Sequence, residues 1–498
     1  MTSARLLLAL ALAAALPLPA AEPDNQPAPN PEAGKPQPKL VRTAGTVTIA
    51  GAPVPYAAET ATLVLETDDG KPRATVFHVS YLRGDVDDPG ARPVLFAFNG
   101  GPGSSAIWLH LGALGPKRLD LPRDGTAPPP PPARLVDNAD SILDAADLVF
   151  IDPVSTGYSR VVGEAKPGDF HGVDGDIESV GDFIRRWITE HDRWRSPKFL
   201  LGESYGGIRA AGLASHLQRR FGMSLNGVVL LSALLDFRTL DPSPGDDLCH
   251  LAYLPAFAAI ARHHGLTSGD PAALHAAARE FAFGPYAAAL LQGNALPDAE
   301  RHAVATRYAE LTGLPLPLVL GSNLRIGPDR FRAELLRDQG LVLGRFDARV
   351  TRPTARPADP EPGGDPSFDF VFGPFATAML DYLRSSLGWT AGQPYEIFGR
   401  IGRWDWNVSN GHLNFSDKLV DALAANPHLR ILVQCGHADL ATPAPGIEYS
   451  LRHLNLPPTL QPAVTFRHYD AGHMFYLNPP DRARMHADLA AFIRGTTG

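Results

Sequence analysis

Ser204 stands between Gly202 and Gly206 in the run SPKFLLGESYGGIRAAGLASHLQRR, a Gly-x-Ser-x-Gly pattern. A serine hydroxyl is a weak nucleophile until a histidine takes its proton, and the histidine must in turn be oriented by a carboxylate. The glycines have a mechanical reason, since a sharp turn that lifts the serine above a sheet leaves no room for bulky neighbours. The pattern is short enough to arise by chance, but here it follows the apolar run KFLL and opens the helical run IRAAGLASHLQ, the strand-turn-helix context that gives it meaning. In that context the partners follow in the chain order Ser, Asp, His. Asp439 in CGHADLATP and His473 in YDAGHMFYLNPP satisfy the order, each in a loop after a strand-like run. Attack on a carbonyl also needs backbone N–H donors for the oxyanion. NGGPGSSA, residues 99–106, brings backbone close to a substrate at Gly100 and Gly101, and the Tyr205 amide directly after Ser204 supplies a second donor.

The elements that must position these residues are legible as apolar runs. RPVLFAFNGGPG, ADLVFIDPVSTGYS, KFLLGESYGG, LNGVVLLSALLD and HLRILVQCGHADLATP are continuous rather than alternating, the pattern of strands buried on both faces. Between them lie helical stretches such as GDIESVGDFIRRWITEHDRW, with Ile177, Val180, Phe183, Ile184, Trp187 and Ile188 on one face. Alternation of this kind predicts an α/β fold with a mostly parallel sheet covered by helices, its chemistry at the carboxyl ends of the strands. Upstream, residues 46–83 alternate β-branched and polar residues and break at Asp-Gly, which predicts antiparallel hairpins. From Asp241 to Gln393 the strand signal gives way to helical patterns such as AFAAIARHHG and DPAALHAAAREFAFGPYAAALLQG, which predicts a mainly helical cap insertion over the active edge.

The remaining signals bound the class. The chain has 498 residues and a net charge of -8, a balance that argues against a nucleic-acid partner. MTSARLLLALALAAALPLPAAEPD reads as a signal peptide over residues 1–21, with an apolar core shorter than a membrane span and no adjacent cysteine for a lipid anchor. Residues 22–40 read as a proline-rich linker, 41–240 and 394–498 as the two parts of the core, and 241–393 as the cap. Cys249 and Cys435 allow at most one disulfide or two buried thiols, and resemble no metal-ligand spacing. His263 and His264 are adjacent on a helical pattern and point in different directions, so they do not read as a metal site. Trp404 and Trp406, in RWDWNVSN, read as packing at the junction with the core or as the lining of a side-chain pocket.

NGGPGSS, GESYGG, GHADLATP and AGHM, in that order, together with LVFIDPVSTGYS, resemble the serine carboxypeptidases from Ala91 to the C-terminus. The resemblance implies an α/β-hydrolase fold with a helical cap and release of C-terminal residues from peptides, favoured at acidic pH. It implies Ser204, Asp439 and His473 as the triad, Gly101 and Tyr205 as oxyanion donors, and Asn99 and Glu203 as ligands of the substrate's free α-carboxylate. A glutamic acid donates a hydrogen bond to a carboxylate only when protonated, so such binding weakens as pH rises through its pKa. The sequence departs from the family where a further acid is usual, at Ala113, and at Ser104 and Ala97, where the family has Cys and Trp. It also lacks the several disulfides of many eukaryotic members, and so resembles a bacterial branch exported to the periplasm or beyond. The implied substrate is a peptide with a free C-terminus, with no metal, cofactor or membrane anchor. The alternatives are a serine esterase or acyltransferase on the same scaffold, for which Asn99 and Glu203 would be dispensable, and a non-catalytic binding protein.

Overall fold

A computed structural model describes residues 36–122 and 124–497. The leader read over residues 1–21 and the linker as far as residue 35 lie outside them. The main sheet runs, in spatial order, through Leu40–Ile49, Ala52–Glu66, Pro72–Arg83, Asp147–Ile151, Val94–Phe98, Lys198–Glu203, Gly227–Leu231, Arg430–Gly436 and Val464–Tyr469, with the short Arg160–Val161 strand beside Pro72–Arg83. The first three strands form antiparallel hairpins, and Pro72–Arg83 joins the rest antiparallel to Asp147–Ile151. From Asp147–Ile151 to Val464–Tyr469 every pairing is parallel.

The continuous apolar runs have a direct physical cause. Along Val94–Phe98, Leu95 and Ala97 pack into one core, while Val94, Phe96 and Phe98 pack into another on the opposite face. Strands Lys198–Glu203 and Gly227–Leu231 divide their residues the same way. With helices on both sides no position faces water, and each buried Leu, Val or Phe contributes roughly 1.5–3 kcal/mol. The helix Val173–Glu190 buries Ile177, Val180, Phe183, Ile184, Trp187 and Ile188 against the second face, with Asp174 and Asp176 in its first turn opposite the helix dipole. Helix Gly206–Phe221 covers the same face and stops at Gly222, which takes the left-handed conformation at φ 64°.

The chain leaves Val94–Phe98 toward Asp147–Ile151 on one side and later reaches Lys198–Glu203 on the other. That reversal opens a crevice at the carboxyl ends of the two adjacent strands, where residues 99–101 and Ser204 emerge. Between Gly227–Leu231 and Arg430–Gly436 the chain forms a series of helices from Leu248–His263 to Pro328–Glu334, with their own apolar core around Phe257, Tyr286, Tyr308 and Phe331, and then helix Pro366–Ser385, whose Phe370, Phe375 and Tyr382 pack into the same core as Leu95 and Ala97. Ala438 and Leu440, on either side of Asp439, belong to that core. The segment also contains a short antiparallel pair, Leu341–Leu343 with Thr351–Pro353, which the sequence pattern does not predict. Three residues are too few to display an alternation. Cys249 and Cys435 are both buried free thiols. Among the described residues no group of His, Cys, Asp or Glu is arranged to hold a metal ion, and no helix is long and apolar enough to cross a membrane.

Candidate active site

Ser204 follows directly on the Lys198–Glu203 strand and precedes the Gly206–Phe221 helix. Its φ is 61°, a left-handed conformation that costs a residue with a Cβ about 1–2 kcal/mol. Neighbours must therefore hold it there. The Ser204 amide donates to the Leu231 carbonyl at 3.0 Å, and its own carbonyl accepts from Gly207 at 2.9 Å and Leu234 at 3.1 Å. Gly202 cannot carry a side chain, because a Cβ there would lie 2.0 Å from the Gly206 carbonyl. Unlike the residues around it, Ser204 retains partial exposure.

His473 and Asp439 meet in a 2.8 Å hydrogen bond between Nδ1 and Oδ2. The Asp439 carboxylate is fully engaged: Oδ1 accepts from the Ala441 and Thr442 amides at 2.7 and 2.9 Å, and Oδ2 also accepts from the Thr442 hydroxyl at 2.9 Å. The same hydroxyl lies 2.8 Å from the Ser232 carbonyl and 3.0 Å from His473 Nδ1. Ser232 Oγ donates to the His473 carbonyl at 2.7 Å, so residues 231–234 hold the backbone of Ser204 on one side and of His473 on the other. Burial alone would lower the His473 pKa, but the charge and hydrogen bond of Asp439, aided by Glu203, outweigh burial and Arg345 and leave it raised.

The glycine loop lies against this turn. A Cβ on Gly100 would stand 2.5 Å from the Tyr205 nitrogen and 2.6 Å from the Glu203 carbonyl, so only glycine permits the approach. Neither the Gly101 nor the Tyr205 amide donates a hydrogen bond to another described residue. Two unengaged N–H groups on adjoining loops are the components of an oxyanion site. The Tyr205 ring is held by Trp404 and Trp406, with centroids at 5.6 and 5.8 Å, so these tryptophans pack behind the turn.

Asn99 and Glu203 come together as a hydrogen-bonded pair, Asn99 Nδ2 donating to Glu203 Oε2. Both are 2% exposed. Burial is the main reason the Glu203 carboxyl is pushed up to about 7, with the Asp439 charge acting the same way and His473, Tyr476 and Asn99 opposing. Tyr476 has no sequence signature: its hydroxyl donates to Glu203 at 3.0 Å, across 273 residues of chain. Its ring occupies the space above Gly112, where a Cβ would meet it at 2.7 Å, next to Ala113. Arg209 is a second residue the motifs do not reveal. Fully buried, it donates to Asp176 at 2.8 Å and to the Asn99 carbonyl at 2.6 Å, fixing the start of the glycine loop. An arginine inside the apolar helical run IRAAGLAS was the one available hint. His263 and His264 lie apart from the site, their rings perpendicular at 4.9 Å and the His264 Nε2 bonded to the Ala348 carbonyl.

Comparison with known proteins bears on the fold and on part of the chain. The model of the family described as serine carboxypeptidase matches residues 72–242, which include the glycine loop and Ser204 but not Asp439 or His473. Serine carboxypeptidase-like 11 of Arabidopsis thaliana is 29% identical over 137 residues, 26% of this chain and 30% of that protein. Serine carboxypeptidase-like 16 of the same plant is 27% identical over 196 residues, 37% of this chain and 42% of that one. The matched stretch thus spans less than half the length of these curated relatives. Among solved structures, Kex1(delta)p, a prohormone-processing carboxypeptidase from Saccharomyces cerevisiae, superposes with a TM-score of 0.52 at 16% identity, covering 88% of this chain and 91% of that one. That likeness carries the fold, an α/β hydrolase. The glycine loop and the Ser204 turn lie inside the residues that match the serine carboxypeptidase family.

Proposed function

We propose that the protein is an exported serine carboxypeptidase that removes C-terminal residues through an acyl-enzyme on Ser204. The observation that carries the reading is the Asp439–His473 hydrogen bond beside a serine at φ 61° on a strand-to-helix turn. With Nδ1 engaged by Asp439, His473 keeps Nε2 free to take the serine proton during attack and to return it to the leaving amine. Water then cleaves the ester by the reverse sequence. The Gly101 and Tyr205 amides receive the oxyanion, where one donor is worth about 2.7–4 kcal/mol. Export rests on the leader read over residues 1–21.

In this reading Asn99 and Glu203 bind the free α-carboxylate, and Glu203 must be protonated to do so. Its pKa of about 7 therefore sets the upper limit: carboxylate binding is present below that pH and fades above it. His473 must be neutral to act as a base, and its raised pKa sets the lower limit. The two limits are linked. The proton that makes Glu203 a donor also removes a negative charge that holds a proton on His473, which opens the window on its acid side. Hydrolysis of a blocked dipeptide as free acid and as C-terminal amide, from pH 4 to 8, tests this. The expected result is a preference for the free acid that declines through pH 7, and a Glu203→Gln variant in which the preference no longer changes with pH. Tyr476→Phe removes a donor that favours ionised Glu203, so the decline should move to higher pH by about 1–2 units, the equivalent of one hydrogen bond to a charged group.

A second reading, an esterase or acyltransferase, is favoured by one observation. Glu203 is already held by Asn99 and Tyr476 and is almost fully buried without any ligand. Equal turnover of acid and amide, with rapid ester cleavage that Glu203→Gln leaves intact, would select it.

A further inference from the structure

Three imidazoles stand in a row between the cap and the last two strands of the sheet. The His275 and His437 ring centroids lie 4.5 Å apart, and His437 stacks on His468 at 5.3 Å with 9° between the planes. His275 belongs to the cap helix Pro271–Phe281, His437 follows directly on strand Arg430–Gly436, and His468 lies in strand Val464–Tyr469. His437 is also two residues before Asp439. The backbone around it is tied to both sides. The His437 amide donates to the Tyr469 carbonyl at 2.9 Å and the Ala438 amide to the Ala471 carbonyl at 3.0 Å, while the Ala438 carbonyl accepts from the Ala348 amide at 3.1 Å and the Leu440 amide donates to the Arg345 carbonyl at 3.1 Å. The loop that carries Asp439 is therefore held between sheet and cap, with the His437 ring between a ring of each.

The row accommodates neutral rings. Nδ1 of His275 and Nδ1 of His437 are both buried without a hydrogen-bond partner among the described residues, so a proton added to either would have no acceptor. Positive charge already faces the row, from Arg279 on the helix of His275 and from Arg484 on helix Pro479–Gly495. The acid that faces it is Glu448 on helix Ala444–Arg452, 3% exposed, and its oxygens are taken by His468 Nε2 at 2.8 Å, Arg279 at 2.7 Å and Arg452 at 3.3 Å. Burial is the main reason that His275 is held down to about 4 and His437 to about 3. Arg279 and His468 add to it for the first, His275, His468 and Arg484 for the second, and Glu448 opposes in both.

We propose that His275 and His437 form an acid-sensitive latch between the cap and the loop that positions Asp439, closed while both rings are neutral and released when they take up protons. Opened to water, each ring returns to its ordinary value near 6.5, so the open form binds more protons than the closed one. Closure is therefore complete above that pH and is lost as pH falls toward 4, the closed-to-open ratio dropping by close to tenfold per pH unit for each ring. This acid limit is separate from the one set by His473. A proton on His473 stops its action as a base, whereas protons on His275 and His437 loosen the backbone that carries its partner.

Amide hydrogen exchange of the whole protein, read by mass spectrometry from pH 7.5 to 4.5 and corrected for the intrinsic rate at each pH, tests the latch. The readout needs no substrate, so it stands or falls apart from the reaction assigned to Ser204. In the wild type, peptides covering Pro271–Phe281 and residues 437–443 should lose protection by about fiftyfold or more for each ring across this range, while helix Val173–Glu190 keeps its own. The double variant His275→Phe/His437→Phe keeps two aromatic rings in the row but removes their proton sites, so its protection should change little with pH. His275→Phe alone should leave the loss that one ring produces, and it decides the matter should the double variant fail to fold. A loss confined to the two segments and graded with the number of imidazoles supports the latch. A wild-type loss below about tenfold, a loss that persists in full in the variants, or an equal loss in helix Val173–Glu190 overturns it.

Discussion

Replacing Ser204 with alanine is expected to lower kcat for both ester and peptide substrates by about 10⁶-fold, to what binding and the oxyanion donors supply alone. The same substitution should leave stability within about 0.5 kcal/mol of the wild type, because alanine meets the same backbone constraint and the Ser204 hydroxyl makes no hydrogen bond to another described residue. The left-handed φ of 61° adds a second, independent expectation. Ser204→Gly should be inactive as well but more stable than Ser204→Ala by about 1 kcal/mol, since glycine adopts that conformation without the Cβ clash. Steady-state kinetics with thermal melts of the three proteins check both. Activity surviving in Ser204→Ala would move the nucleophile elsewhere. Equal melting of the alanine and glycine variants would mean that the turn stores no strain at this residue.

What the sequence made legible, and what it hid, follows from the range of the interactions involved. The five apolar runs announced a sheet buried on both faces because strand neighbours alternate sides, so that Phe96 enters one core and Leu95 and Ala97 the other. The Ser204 turn was legible because its geometry excludes every residue but glycine at position 202. Asp439 and His473 were readable as a pair from chain order and residue type, since few side chains can do that chemistry. The supporting residues obey no such restriction. Tyr476 reaches Glu203 from a helical turn 273 residues away, and a phenol there is one of several groups that could satisfy a buried carboxyl. Thr442 and Ser232 act through single hydroxyls placed by backbone that only the assembled sheet defines. The imidazole row from His275 to His468 joins three segments that share no periodicity, so no local pattern signals it. The tryptophans of RWDWNVSN, read as packing or as a pocket, stand behind Tyr205 as packing.

Asp439→Asn should cost kcat about 10⁴-fold while leaving the fold intact. An asparagine can keep its carbonyl oxygen on the Ala441 and Thr442 amides, at the place Oδ1 now holds, so the loop retains its bonds. Its NH₂ then faces His473 Nδ1, which becomes an acceptor and sends the ring proton to Nε2, the atom that must receive the serine proton. Without the Asp439 charge, burial also acts on His473 with less opposition, so its pKa falls. The acid limb of the kcat/KM profile should therefore move to lower pH while the maximum drops, two changes that a loss of stability alone would not produce together. Thr442 sets the alternative. Its hydroxyl is 3.0 Å from His473 Nδ1 and can accept that proton in place of Asp439. If Asp439→Asn retains activity within tenfold of the wild type and Asp439→Asn/Thr442→Val does not, the hydroxyl holds the tautomer and the carboxylate serves mainly to charge the site. If the single variant falls by the full factor and adding Thr442→Val changes little, the 2.8 Å bond from Asp439 fixes both the tautomer and the basicity of His473.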